Sequence, residues 1–219
     1  MKLFIDSANL ADIEAALQRG VVRGVTTNPS IMAKDQGSIE DIIRLLRRYG
    51  DTIPLSVEVT ETETEAMFKQ AMRFADYRYN PIVIKVPIGW NELQVVYRLR
   101  TDIRRIQVNV TACMSYNQAI MAANARANYV SLFWGRIRDT GQDAATVVRQ
   151  VRETFDRWKC PTEIIVGSIR QMIDVNEAIQ AGADIVTVPP QFLPLLCQHP
   201  KTDEAVSQFL RDAAVPALK

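Results

Sequence analysis

The chain predicts an α/β fold, a closed (β/α)8 barrel built as one domain over residues 1–219, on three observations. Eight short runs of β-branched and apolar residues recur, at 3–6, 24–27, 55–59, 82–86, 108–112, 129–133, 163–167 and 184–188. Amphipathic stretches with helical spacing fill the intervals, giving strand–helix units of about 27 residues. No Pro/Gly/Ser linker, low-complexity tract or charge block divides the chain. An open doubly wound sheet is the alternative, weakened by the lack of any G-x-G-x-x-G or G-x-x-x-x-G-K-[ST] turn.

The elements follow in order. The first run ends at Asp6, and Ser7-Ala8-Asn9-Leu10 reads as a helix start. After the second run, Asn28-Pro29-Ser30 sets proline at a first helical position, where its missing N–H costs nothing. The third run is followed by Glu61, Glu63 and Glu65, whose charges suit a helix N-terminus. Behind them Met67, Phe68, Ala71, Met72 and Ala75 form one face. Between the sixth and seventh runs, Val147, Val148, Val151, Phe155 and Trp158 share a face at 3.6 periodicity. A last helix is expected at about 202–214. Its Val206, Phe209, Leu210 and Ala213 suit either a neighbouring subunit or the chain's own barrel.

Composition excludes several classes. At 47% hydrophobic and 23% charged, the chain can bury a large core and is not disordered. A net charge of +1 supplies no basic field for nucleic acid or an anionic membrane, so neither is expected as a partner. No apolar run approaches a membrane span, and the start Met1-Lys2-Leu3-Phe4-Ile5-Asp6 lacks the apolar core of a signal peptide. Cys113, Cys160 and Cys197 are odd in number and widely spaced. They indicate neither a disulfide framework nor a zinc motif, and reduced thiols in a cytoplasm are the expectation.

Lys85 carries the chemistry. It lies inside Pro81-Ile82-Val83-Ile84-Lys85-Val86-Pro87, where a buried ammonium must be paired or give up its proton. A desolvated lysine loses its proton more readily, and the free amine forms imines with ketones. Barrel active sites lie at the C-terminal ends of the strands. Polar residues recur there: Asp6, Asn28, Glu58, Lys85, Thr111, Ser131 and Ser168.

Each has a structural alternative. Asp6 and Asn28 can cap the following helices, Thr111 can be a simple strand former, and Lys85 can pair structurally with Glu58. Arg136 and Arg170 follow strands six and seven, where an isolated arginine is usually solvated. His199, the only histidine, sits in a late Gln-His-Pro turn, away from these positions. As a set, an imine former, two carboxylates, a hydroxyl and two arginines supply what reversible carbon–carbon cleavage of a phosphorylated ketose requires.

The motifs Phe4-Ile5-Asp6-Ser7-Ala8, Gly24-Val25-Thr26-Thr27-Asn28-Pro29-Ser30, Ser56-Val57-Glu58-Val59, Ile84-Lys85-Val86-Pro87 and Asn109-Val110-Thr111 resemble the transaldolase family. The likeness is to its short-chain branch, shared with the fructose-6-phosphate aldolases. It continues through Tyr129-Val130-Ser131, Gly135-Arg136, Ile165 to Arg170 and Ala181 to Asp184. The resemblance implies a TIM barrel of the class I aldolase type, with an additional C-terminal helix and without metal or organic cofactor.

By that match Lys85 attacks the ketone, and Asp6 accepts the proton of the 4-hydroxyl. Glu58 and Thr111 manage the water of imine formation, while Asn28 and Ser131 hold the dihydroxyacetone fragment. Arg136, Arg170 and Ser168 hold the phosphate. Glu58 with Phe133 matches the transaldolase arrangement, where aldolases tend to have Gln and Tyr, so transfer is expected over release of free dihydroxyacetone. The branch also implies a homo-oligomer, pentamer or decamer.

The chain departs from the family at Leu132, Trp134, Arg138, Pro190, the Ile88-Gly89-Trp90-Asn91 turn and Cys113-Met114-Ser115-Tyr116. These departures leave the acceptor sugar open, including a specialised transaldolase making an unusual higher-carbon sugar phosphate. Repacking or a subunit contact is the other reading of Trp90, Trp134 and Arg138. A barrel that binds a sugar phosphate without turnover is the competing non-enzymatic reading.

Overall fold

The computed structural model describes residues 1–50, 52–77, 79 and 81–213. Eight parallel strands close on themselves in sequence order, β1 pairing with both β2 and β8. They are β1 Lys2–Asp6, β2 Val25–Thr26, β3 Leu55–Glu58, β4 Ile82–Pro87, β5 Gln107–Cys113, β6 Tyr129–Phe133, β7 Glu163–Gly167 and β8 Ile185–Val188. All eight expected runs are strands, shifted by at most one residue at an end.

The helices are α1 Leu10–Gln18, α2 Pro29–Asp35, α3 Ile39–Arg47, α4 Thr64–Ala75, α5 Glu92–Thr101 and α6 Tyr116–Asn124. They continue with α7 Trp134–Asp139, α8 Ala144–Trp158, α9 Met172–Gln180 and α10 Pro200–Ala213, with two short 3-10 turns at Pro190–Phe192 and Pro194–Cys197. The expected C-terminal helix is α10. It begins slightly earlier than the sequence suggests, and residue 214 lies outside the described residues.

Local chemistry accounts for the boundaries. Asn9 caps α1 by accepting from the backbone N–H groups of Ala11 and Asp12, so Asp6 is not that cap. Asn28 caps α2, its Oδ1 accepting from Ile31 N at 2.9 Å, with Pro29 in the first turn. Thr64 opens α4 directly behind Glu63.

Alternation along each strand sorts the core into two parts. Outward residues such as Ile5, Val25, Val57, Ile84, Val110 and Val166 pack beneath the helices in one continuous cluster. A second, much smaller cluster of Phe4, Ile165 and Ile185, with Tyr129 against it, fills the barrel interior low down. Gly24 completes this floor: a Cβ there would lie 2.5 Å from the Phe4 ring. Inward positions one layer higher are therefore polar, and they face the open end.

Two expectations about helix faces need correction. In α8, Val147, Val148, Val151 and Phe155 are buried, but Trp158 is 55% exposed because the helix ends there and the chain turns away through a left-handed Lys159. In α4 only Met67 and Ala71 of the expected face are fully buried, and Phe68 is partly covered by the Arg98 guanidinium 3.8 Å from its ring centre.

Candidate active site

Lys85 projects from β4 into the polar upper layer of the barrel and is only 4% exposed. Its Nζ lies 3.0 Å from Glu58 Oε2 and donates to the Thr27 carbonyl oxygen at 2.7 Å. The two side chains are direct register partners on β3 and β4, so strand pairing alone juxtaposes them. The amine is therefore a paired group. Of the two ways to tolerate its burial, pairing or loss of the proton, the structure shows pairing, with Glu58 and the Thr27 carbonyl.

Asp6 is the register partner of Thr26. Its Oδ1 accepts from the Thr26 hydroxyl at 2.7 Å, and Thr26 in turn lies 2.5 Å from the Thr187 hydroxyl of β8. Burial raises the Asp6 carboxyl above its ordinary range, against the lowering effects of the Thr26 hydrogen bond and the nearby Lys85 charge.

On the next strands, Ser131 donates to Asn109 Oδ1 at 2.8 Å, with both groups buried. Asn109 is the register partner of Lys85. Its Nδ2 and the Thr111 Oγ1 are buried with no hydrogen-bond partner among the described residues, an expensive arrangement unless a ligand supplies one. Thr111 stands beside a register shift between Val110 and Cys113, where Ala112 takes a left-handed φ of 57°.

A cleft of ≈ 850 Å³ opens over these groups, lined by Asp6, Asn28, Glu58, Ala112, Phe133, Arg136 and Ser168 among others. Its inner recess, ≈ 140 Å³, reaches Lys85, Ser131, Thr26 and Thr187. Arg136, on α7, borders both and lies 5.9 Å over the Phe133 ring. Ser168 holds a left-handed φ of 60°, a strain typical of functional strand ends.

Of the ten side chains singled out from sequence, eight line the cleft or its recess: Asp6, Asn28, Glu58, Lys85, Ser131, Phe133, Arg136 and Ser168. Thr111 lies buried at the end of its strand. Arg170 does not line the cleft: it packs against Gly135, and its guanidinium is bound bidentately by Asp139, the last residue of α7, at 2.6 and 2.7 Å. Arg136, by contrast, makes no ion pair with the described residues.

The departures from the family pattern mostly fall outside the cleft. Trp134 is buried, its indole N–H donating to Asp174 Oδ1 at 3.2 Å, and Arg138 donates to the same oxygen at 2.8 Å. Trp90 is exposed on the β4–α5 turn. None of the three lines the cleft, so they do not reshape an acceptor pocket from within it. Pro190 does border it, beside Pro189 and Gln191.

Four buried inward polar groups escaped selection from sequence: Asn109, Thr26, Ser56 and Thr187. Asn109 and Thr26 lie two residues before Thr111 and Asn28, hence on the same strand face, which is the signal that could have found them. Thr187 fills the one strand for which no polar end had been chosen. No group of acidic, histidine or cysteine side chains suited to a metal ion occurs among the described residues.

A closed parallel eight-stranded barrel with a buried lysine–carboxylate pair beneath a cleft at its open end defines a TIM-barrel protein with its candidate site at the strand ends. The family model described as Transaldolase/Fructose-6-phosphate aldolase matches residues 3–217, and the chain belongs to that family. Similar curated proteins include a probable transaldolase of Mesorhizobium japonicum, 39% identical over 100% of this chain and 99% of the other. A probable transaldolase of Heliobacterium modesticaldum is 42% identical over 97% of each chain. Among solved structures, a mandelate oxidase mutant matches with a TM-score of 0.61 at 18% identity, over 86% of this chain and 64% of that one, a likeness of fold alone.

Proposed function

We propose that the chain is a transaldolase, moving a dihydroxyacetone unit from a ketose phosphate such as fructose 6-phosphate or sedoheptulose 7-phosphate to an aldose phosphate through a Schiff base on Lys85. The observation that carries this reading is the buried Lys85 Nζ, 3.0 Å from Glu58, in a recess that also holds Asp6. A structural ion pair alone would not need to open onto a cleft.

Glu58 takes a proton from the ammonium, and the free amine adds to the ketone carbon. The proton returns to the resulting hydroxyl, which leaves as water, with Thr111 ordering that water beside Glu58. Positioned proton transfer of this kind contributes ~10²–10⁴ in rate. The protonated imine then accepts the electron pair of the bond between carbons 3 and 4 as Asp6 removes the 4-hydroxyl proton. The aldose phosphate departs, and the enamine waits for its replacement. Asn28, Ser131 and Asn109 hold the oxygens of the three-carbon fragment, the orphan Asn109 Nδ2 being a donor suited to one of them.

Arg136 and Ser168 are proposed to meet the phosphate at the far wall of the cleft. Arg170 joins them only if substrate draws it from Asp139. Phe133 brings no hydroxyl to the enamine, which favours transfer over hydrolysis. No metal or organic cofactor enters these steps. The free cysteines suit a cytoplasmic setting.

The exposed Val206, Phe209 and Leu210 of α10 support a homo-oligomer, pentamer or decamer, with this helix on a neighbour. Sedimentation of Phe209→Ser/Leu210→Ser should then give smaller species than the parent.

The test of the reaction is product analysis. Fructose 6-phosphate with an added aldose phosphate should yield the new ketose phosphate, and little free dihydroxyacetone without it. Release of dihydroxyacetone at equal rates with and without acceptor would make the chain an aldolase. A panel of four- and five-carbon aldose phosphates tests whether an unusual acceptor is preferred.

A further inference from the structure

The wall of the barrel behind Asp6 contains an arrangement that the proposed chemistry does not itself require. Asp6, Thr26 and Thr187 project inward from β1, β2 and β8, three adjacent strands. The Thr26 hydroxyl donates to Asp6 Oδ1 at 2.7 Å and lies 2.5 Å from the Thr187 hydroxyl. Both threonines are buried. A threonine hydroxyl carries one proton. With that of Thr26 committed to Asp6, the proton in its contact with Thr187 belongs to Thr187. The donors therefore run in one direction, Thr187 to Thr26 to the carboxylate.

We infer that Thr26 and Thr187 are positioning residues for Asp6, a buried hydroxyl chain that fixes one carboxylate oxygen and leaves the other to the substrate. The inference rests on the reading of Asp6 as the base of the cleavage step. Asp6 takes the substrate proton on its other oxygen, so Oδ1 keeps accepting from Thr26 and the donors keep their direction through the step. Thr187, donating to the Thr26 oxygen, holds the Thr26 hydroxyl turned toward Asp6. Chains of this kind polarise one another in a low-dielectric setting.

The charged groups around Asp6 sharpen the argument. Lys85 on β4 and Glu58 on β3 act on it with opposite sign, as does Asp35 from α2, which raises it further. Asp35 is itself occupied by Ala8 N and the Ser7 hydroxyl. Burial is the dominant influence and pushes the Asp6 carboxyl up. The Thr26 hydrogen bond is the largest influence in the other direction, ahead of Lys85. Thr26 thus opposes the effect of burial on the Asp6 carboxyl.

The test pairs two readouts. Removing the hydroxyl with Thr26→Val should move the acid limb of the kcat/KM profile to higher pH, costing about tenfold at a fixed pH on that limb, with the alkaline plateau within about threefold. Thr26→Ser should restore the limb. Thr187→Val should move it the same way by less, and should add nothing in the Thr26→Val background, because Thr187 acts only through Thr26.

Carbon-13 NMR titration of the Asp6 carboxyl, assigned by its loss in Asp6→Asn, reads the same shifts in the resting protein without any turnover. Thr26→Ala serves if the valine variant does not fold. An Asp6 titration unmoved by loss of the Thr26 hydroxyl, or additive shifts in the double variant, would overturn the inference. A parent protein that transfers no dihydroxyacetone would count against the proposed reaction alone, and the NMR titration would still decide the role of the threonines.

Discussion

Asp174 gives the sharpest structural prediction. It is 1% exposed, and its two oxygens accept four donors. Oδ1 takes Trp134 Nε1 at 3.2 Å and Arg138 Nη1 at 2.8 Å, while Oδ2 takes the backbone N–H groups of Arg170 at 3.0 Å and Gln171 at 2.9 Å. It ties α7, which carries Arg136, to the β7–α9 loop, which carries Ser168. Asp174→Asn keeps the shape but offers one acceptor oxygen and turns an N–H₂ toward the other pair of donors.

The cheaper flip places that N–H₂ toward Trp134 and Arg138. Arg138 is 49% exposed and can turn to water, so its loss is worth under about 1 kcal/mol. The Trp134 N–H is buried and would be orphaned, at about 1–3 kcal/mol. The expected destabilisation is about 1–4 kcal/mol, against under about 1 kcal/mol for Arg138→Ala. Urea unfolding measures both, with an unchanged slope showing that the change lies in stability. Asp174→Asn within about 0.5 kcal/mol of the parent would refute the reasoning, since that is the scale of an indifferent surface change.

Three further outcomes follow from the same contacts. Gly24→Ala places a methyl carbon 2.5 Å from the Phe4 ring in the barrel floor and should cost about 1–3 kcal/mol by urea unfolding. Asp6→Asn should abolish transfer yet stabilise the protein at neutral pH. The folded carboxyl lies above the ordinary 3.8, so the parent loses stability as pH rises from there through the folded value. The advantage of the asparagine should shrink below about pH 4, and thermal melts across pH would show it. Phe133→Tyr puts a hydroxyl beside the recess and should raise release of free dihydroxyacetone in the absence of acceptor. An unchanged release rate would mean that residue 133 does not govern the choice.

What could be read from the sequence divides along the range of the interactions. The eight strands were legible because a strand buried beneath helices must be apolar and β-branched, as in Ile82 to Val86. The cap at Asn28 was legible because it acts within three residues of itself, whereas the α1 cap is Asn9 and not Asp6. Helix α7 was not, since Trp134-Gly135-Arg136 carries no capping signal and is held by distant Asp174 and Ser168. The kink at the end of β5 was hidden because alanine, not glycine, adopts the positive φ at position 112. Thr26 and Thr187 were hidden because a threonine in a strand looks like any other strand former.

Arg170 was grouped with Arg136 by its place after a strand, and only the fold brings Asp139 against it. Glu58 and Lys85, 27 positions apart in the chain, were readable as a possible pair, and the register of β3 on β4 makes them one. Trp134, which stood out as a departure near the cleft, is explained by a hydrogen bond behind it.

Borohydride reduction during incubation with fructose 6-phosphate, followed by peptide mass analysis, tests the centre of this account most directly. A three-carbon adduct on the peptide containing Lys85, absent in Lys85→Met although that variant folds, is the predicted result. Turnover retained by Lys85→Met, or an adduct formed on a different lysine, would contradict it.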